Sequence, residues 1–211
     1  MRDFTGFPDM HTIVPEGEKG TAKVKHYDVG KGDSFRTMLS HRPGLTHVPE
    51  GRYCKLIVDG YLVMSDTQME RSSNLTFILN ANGHVLIGGL GLGMIVHPLM
   101  SNDDVSTVTV VERSPDVIDL IQPTLPNGKP VTVICADIFE WDRDRSIKYD
   151  TIYFDIWPDI CEDNLKEIAR LHQRYKYALN RENEKCWMGS WMQSFLRSER
   201  RAEQRQGGFW V

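Results

Sequence analysis

The spacing of apolar positions changes character near residue 84. Before that point, the segment 53–66, YCKLIVDGYLVMSD, carries two short apolar runs on either side of Asp59-Gly60. Apolar runs flanking an Asp-Gly pair predict a β-hairpin. Residues 1–52 are rich in Gly, Pro, His and charge and show no strong period, which predicts short strands and loops. From residue 84 strands and helices alternate. HVLIGG reads as a buried strand, MIVHPLM as a short helix interrupted near Pro98, and STVTVVE as a β-branched strand ending at Glu112. Ser114 suits an N-cap and Pro115 the first helical position of PDVIDLIQ. PVTVICAD and YDTIYFDIW supply a third and a fourth strand. Asp163 is expected to cap the next helix, with Leu165, Ile168, Ala169, Leu171 and Tyr175 as its apolar face. Near-continuous apolar strands alternating with helices predict an α/β fold: a Rossmann-like, mostly parallel sheet covered on both faces. The expected division is an N-terminal β-rich region over 1–80 and the Rossmann-like part over 81–211.

The tail is ambiguous by pattern. KCWMGSW fits a fifth parallel strand, but Trp187, Trp191 and Phe195 lie four apart and fit one helix face equally. SFLRSERRAEQRQ reads as a helix, with Arg197, Arg200, Arg201 and Arg205 on a solvated side. About 55 residues follow the fourth strand, room for one more strand and two helices, so the C-terminal part of the sheet is expected to be truncated relative to a seven-stranded one.

Composition narrows the function classes. A chain of 211 residues, 40% hydrophobic and 26% charged, is globular rather than disordered. A net charge of -4 supplies no general attraction to nucleic acid or anionic membrane, so neither is expected as a partner. The longest apolar stretch, Val85–Met100, is broken by glycines, His97 and Pro98 and does not resemble a membrane span. The first residues show no apolar signal region, and a cytoplasmic protein is the expectation. Cys54, Cys135, Cys161 and Cys186 are scattered, without CxxC spacing, which suits reduced thiols. The histidines, among them His26, His41, His47, His84, His97 and His172, show no metal-ligand spacing, so no metal site is expected.

The strongest chemical signal is Val85-Leu86-Ile87-Gly88-Gly89-Leu90-Gly91-Leu92-Gly93. A strand that turns sharply into a helix needs residues tolerant of positive φ and a bare backbone where a ligand lies against it. The turn's N–H groups then face polar ligand atoms. Glu112 ends the next strand, 19 residues beyond Gly93, at the spacing where an acid meets the ribose hydroxyls of a nucleoside. The dinucleotide pattern GxGxxG fails in every frame, because Met94, Leu90 or Val96 stands where a glycine is needed. A mononucleoside cofactor fits better. Gly88, Gly89, Gly91, Gly93 and Glu112 are therefore candidate cofactor residues; glycines that merely allow helix–sheet packing are the plainer alternative.

More acids fall at later strand ends. Asp137 suits an adenine amine, with Ile138 against the ring; an N-cap is as good an account of it. Asp155 is the candidate catalytic carboxylate, placed to orient an amine or take its proton, with a strand-end cap as the alternative. Trp157 either stacks on a substrate or roofs the core.

VLIGGLGLGM, VTVVERSPDVIDLI, VICADIFEW and YDTIYFDIWPD, in that order, resemble motifs I to IV of class I S-adenosylmethionine-dependent methyltransferases. Within that superfamily the chain is most similar to the spermidine synthase branch, whose N-terminal hairpin LIVDGYLVMSD resembles. The likeness spans about residues 53–160. It implies S-adenosylmethionine, or its decarboxylated form, as cofactor, a small-molecule acceptor such as an amine, and a homodimer. The branch's GGGDGG turn carries an acid where this chain has GGLGLG; its hairpin glutamine falls near Val63; its DSSDP segment reads Asp155-Ile156-Trp157-Pro158-Asp159 here. These departures favour methyl transfer. The alternatives are an aminopropyltransferase acting on a diamine and a catalytically degenerate binding protein.

Overall fold

The computed structural model describes residues 6–33 and 48–207; His41 and His47 and the first five residues lie outside that range. A single 3-10 turn, Met10–Thr12, precedes four antiparallel strands: β1 (Gly17–Lys19), β2 (Ala22–Val29), β3 (Gly51–Val58) and β4 (Tyr61–Ser65). They pair in chain order as one meander. Asp59 and Gly60 turn the β3–β4 hairpin with φ of 52° and 80°, the left-handed pair that a two-residue hairpin loop demands. Alternation along the strands buries Ala22, Val24, Cys54 and Leu56 on one face. Asp66 closes this unit at the end of β4. Its buried carboxylate accepts hydrogen bonds from the backbone N–H groups of Met10 (2.9 Å) and Cys54 (2.7 Å).

Two short helices, α1 (Gln68–Ser73) and α2 (Leu75–Asn80), lead to the second sheet. That sheet is built from β5 (Gly83–Gly88), α3 (Val96–Met100), β6 (Val105–Glu112), α4 (Pro115–Ile121), β7 (Val131–Cys135), β8 (Thr151–Phe154), α5 (Asn164–Tyr175), β9 (Trp187–Ser190) and α6 (Gln193–Gly207). Its strand order is β7-β6-β5-β8-β9, and every neighbouring pair is parallel. Order reverses between β6 and β8 on either side of β5. A doubly wound sheet opens its ligand crevice at that switch point, beyond the carboxyl ends of the strands. Val85, Leu86, Ile87, Val108, Val110, Val111, Ile152, Tyr153 and Phe154 are all buried, as strands covered on both faces require. Phe77 of α2 stacks on Tyr153, with ring centroids 4.3 Å apart, and so pins the linking helices to the sheet.

The tail resolves as a strand: Trp187–Ser190 runs parallel to β8, from Thr151↔Trp187 to Phe154↔Ser190. The four arginines of α6 are exposed. Ser114 caps α4 by accepting from Val117 N at 3.3 Å, with Pro115 at the first helical position. Asp163, expected as a cap, has helical φ and ψ and makes no side-chain cap bond. Its carboxylate pairs instead with exposed Lys166, one turn on, at 2.8 Å. The inward face of α5 also differs by one position: Asn164, Leu165, Ile168, Leu171 and Tyr175 are buried, whereas Ala169 is exposed. Asn164 earns its burial through its amide, which donates to Asp159 O at 2.7 Å. Among the described residues no helix is long and apolar enough to cross a membrane.

Candidate functional site

At the switch point lies a cleft of about 300 Å³. One wall is the glycine turn with the carboxyl ends of β6 and β7; the other comes from the hairpin and α1. Gly89, Gly91, Glu112, Asp137, Ile138 and Asp155 all line it. Gly88 and Gly93 do not. A Cβ on Gly88 would lie 3.0 Å from Phe154 and 3.2 Å from Ile138. Gly93, at φ +72°, would lie 2.8 Å from Leu125. Both serve the packing behind the turn. Gly89 adopts φ +97°, and any Cβ there would overlap the backbone oxygen of Asp155. The bare backbone lets the ends of β5 and β8 converge, held by Asp155 N donating to Gly88 O at 2.8 Å.

Glu112 is fixed by its own backbone surroundings. Its two carboxylate oxygens accept from Leu90 N and Ser114 N, each at 2.9 Å. Each oxygen retains a further acceptor site, so the carboxylate can still receive a vicinal diol. Asp137 makes a local turn contact but caps no helix, since none lies between β7 and β8: Oδ1 accepts from Phe139 N at 2.7 Å, and its carbonyl oxygen accepts from Glu140 N and Trp141 N. It nevertheless faces the same cleft, beside buried Ile138.

The opposite wall holds a second carboxyl that pattern reasoning passed over. Glu70 of α1 lines the cleft with Asp155. Burial pushes Asp155 up from 3.8 to about 7, while the Asn74 side-chain amide pulls the other way. Burial also pushes Glu70 up from 4.5 to about 8, the charge of Asp155 adding to the rise and the Ser65 backbone N–H opposing it. Two such carboxyls titrate as a coupled pair, and together they keep a proton near neutral pH. Asn74 is the buried pivot beneath them: it accepts from Tyr153 Oη at 2.9 Å and donates to Glu70 O at 3.0 Å.

Two tryptophans complete this end of the cleft. Trp157 is nearly buried yet faces the cleft, and its Nε1 donates to Glu167 at 2.6 Å. Trp191, just past β9, donates from Nε1 to Ser73 Oγ of α1 at 2.9 Å. Both tryptophans thus line the cleft together with Glu70 and Asp155. The sequence signal nearest to Glu70 is Thr67-Gln68-Met69-Glu70, which has capping-box spacing. Thr67 makes no cap bond in the structure, and the Glu70 carboxyl, with the Ser65 backbone N–H as a partner, lines the cleft. Among the described residues no group of three or more His, Cys, Asp or Glu side chains is placed to hold a metal ion.

Strand order and the position of the cleft together define a Rossmann-like α/β domain whose cleft opens at the switch point of the sheet. No protein-family model matches the sequence, and no curated protein does. Among solved structures the fold is similar to spermidine synthase from Thermotoga maritima, at 16% identity over 79% of this chain and 53% of that one, with a TM-score of 0.48. It is also similar to the CcbJ methyltransferase from Streptomyces caelestis, at 21% identity over 52% of this chain and 44% of that one (TM-score 0.41). Fibrillarin from Aeropyrum pernix, solved with natively bound S-adenosyl-L-methionine, matches at 15% identity over 57% of this chain and 52% of that one (TM-score 0.43). The chain spans about half the length of each of these structures.

Proposed function

We propose that this chain is an S-adenosylmethionine-binding transferase that methylates a small amine. The observation that carries the reading is the meeting of two half-sites in one cleft: Gly89, Gly91, Glu112 and Asp137 with Ile138 on one side, Glu70 and Asp155 on the other. The first half fits a nucleoside. Glu112 has acceptor capacity for the ribose diol, the glycines leave a bare cradle, and Ile138 offers an apolar face to a base. When bound, S-adenosylmethionine supplies a methyl group already activated on a sulfonium; transfer forms an N–C bond, breaks the S–C bond and leaves S-adenosylhomocysteine.

The protein's own residues supply the rest. An amine arrives as an ammonium, which Trp157, Glu70 and Asp155 can hold by charge and by cation–π contact. It must lose a proton before it can attack. Asp155, raised to about 7, is matched to take that proton near neutral pH, and Glu70 keeps the pair's charge in balance. Holding the nitrogen beside the donor is worth more than any acid–base step, because the methyl group needs no further activation.

The same acid pair also suits a diamine, which favours aminopropyl transfer from the decarboxylated donor as the second reading. Isothermal titration with S-adenosylmethionine and S-adenosylhomocysteine tests the shared part of both. Saturable heat from either is expected; silence from both refutes the reading. Mass spectrometry of products formed with amine acceptors then separates a gain of one methyl group from a gain of an aminopropyl group.

A further inference from the structure

Glu70 and Asp155 come from separate elements, α1 and the chain just past β8, and both line the cleft. Their polar partners are neutral: the backbone N–H of Ser65 for Glu70 and the side-chain amide of Asn74 for Asp155. Among the described residues no Lys, Arg or His forms an ion pair with either carboxyl. The other charged and titratable groups nearby do not neutralise the pair. Arg71, next in the chain, donates to Asp9 Oδ1 at 2.9 Å and to Asp66 O at 3.0 Å. Arg113 lies exposed after Glu112, on that side of the cleft. Glu112 and Asp137 accept from backbone N–H groups, and Glu167 accepts from Trp157. Tyr153 donates its hydroxyl proton to Asn74, and burial keeps that hydroxyl protonated.

Two carboxylates in one poorly solvated wall repel each other, and without a cation neither charge is compensated. The pair therefore keeps a proton, and the Asn74 amide favours Asp155 as the ionised member. A cation entering the cleft reverses the balance. It compensates a full negative charge, so protonation beyond a single shared proton becomes unfavourable.

We propose that Glu70 and Asp155 form a proton-for-cation exchange site: the pair releases a proton to solvent when an alkylammonium group enters the cleft. The site rests on the transferase reading above only for the identity of that cation, the ammonium of the acceptor. The acceptor then binds in exchange for a proton, and the same exchange leaves Asp155 ready to receive the ammonium's own proton.

Tetramethylammonium is the probe, because it carries a fixed charge and no proton of its own. It is titrated into the full chain calorimetrically at about pH 6.5, in phosphate and in ACES, two buffers with different heats of ionisation. The buffer-dependent part of the heat counts the protons released. On the order of one proton per cation is expected there, because a pair with values of about 7 and about 8 is then close to doubly protonated. Affinity should rise about fivefold between about pH 6 and about pH 7 and flatten above about pH 8, since its slope with pH equals the number of protons released. In Glu70→Gln/Asp155→Asn the release falls to zero and the affinity at about pH 8 drops by about tenfold or more. Equal heats in both buffers with an affinity that ignores pH overturn the exchange. Proton release that survives in the double variant overturns it too, as does a wild type that does not bind tetramethylammonium. None of these results touches the transferase reading, which stands or falls with the binding of S-adenosylhomocysteine in the same buffers.

Discussion

Replacing Glu70 by Gln removes a carboxyl whose titration is displaced by folding, so the effect can be read as stability against pH. In the folded chain Glu70 rises from 4.5 to about 8, first through burial and then through the neighbouring Asp155. An acid raised by folding binds its proton more tightly in the native state. Its contribution is fully present below the unfolded value and is lost as pH climbs through the folded one. Each pKa unit is worth about 1.4 kcal/mol, so between about pH 5.5 and about pH 9 the wild type loses about 3 kcal/mol through Glu70 alone. Gln cannot ionise, and the variant keeps most of that stability. Asp155, raised to about 7, contributes a loss of the same sign in both proteins, so the difference between them reports Glu70 together with its coupling to Asp155. Urea unfolding of both chains across this pH range measures the effect. Parallel stability profiles would show that Glu70 titrates as an ordinary surface acid, and the acid pair would lose its place in the cleft chemistry. The pair also sets the sign expected for catalysis: turnover of an amine rises with pH through about 7 to about 8, as the carboxyls surrender protons and become able to accept one.

Glu112→Ala removes the proposed ribose acceptor and orphans Leu90 N and Ser114 N. Titration with S-adenosylhomocysteine should show affinity reduced by about a hundredfold, the worth of a bidentate charged acceptor, and a loss under threefold would exclude Glu112 from the cofactor site. Gly93→Ala places a Cβ at φ +72°, 2.8 Å from Leu125, away from the cleft. Urea unfolding should show about 1–3 kcal/mol of lost stability with ligand affinity preserved, and the reverse pattern would place Gly93 in the binding surface.

What the sequence disclosed and what it hid follow from the range of the forces involved. The glycine turn is legible because its demand is local: a buried strand ends, φ turns positive at Gly89, Gly91 and Gly93, and an acid ends the next strand. Position alone then separates their tasks. Gly89 and Gly91 meet the cleft while Gly93 meets Leu125, a distinction set by tertiary packing and invisible in GGLGLG. The β9 segment is undecided for a related reason. Four apolar or small residues carry too little period to choose between strand and helix. The choice is made by the free edge of β8, where Trp187 N donates to Asp150 O and Trp191 N to Phe154 O. Ala169 fails as a core residue because spacing tells only that a helix has an apolar face. The orientation of that face is fixed by buried Asn164, a polar residue that no hydrophobic pattern selects. Glu70 is the deepest omission. It is unremarkable in a hairpin-and-helix segment that reads as scaffold, and it gains its raised titration only from burial beside Asp155. The residues of the glycine-turn half of the cleft thus announce themselves through backbone geometry, whereas those of the opposite half are defined by tertiary packing.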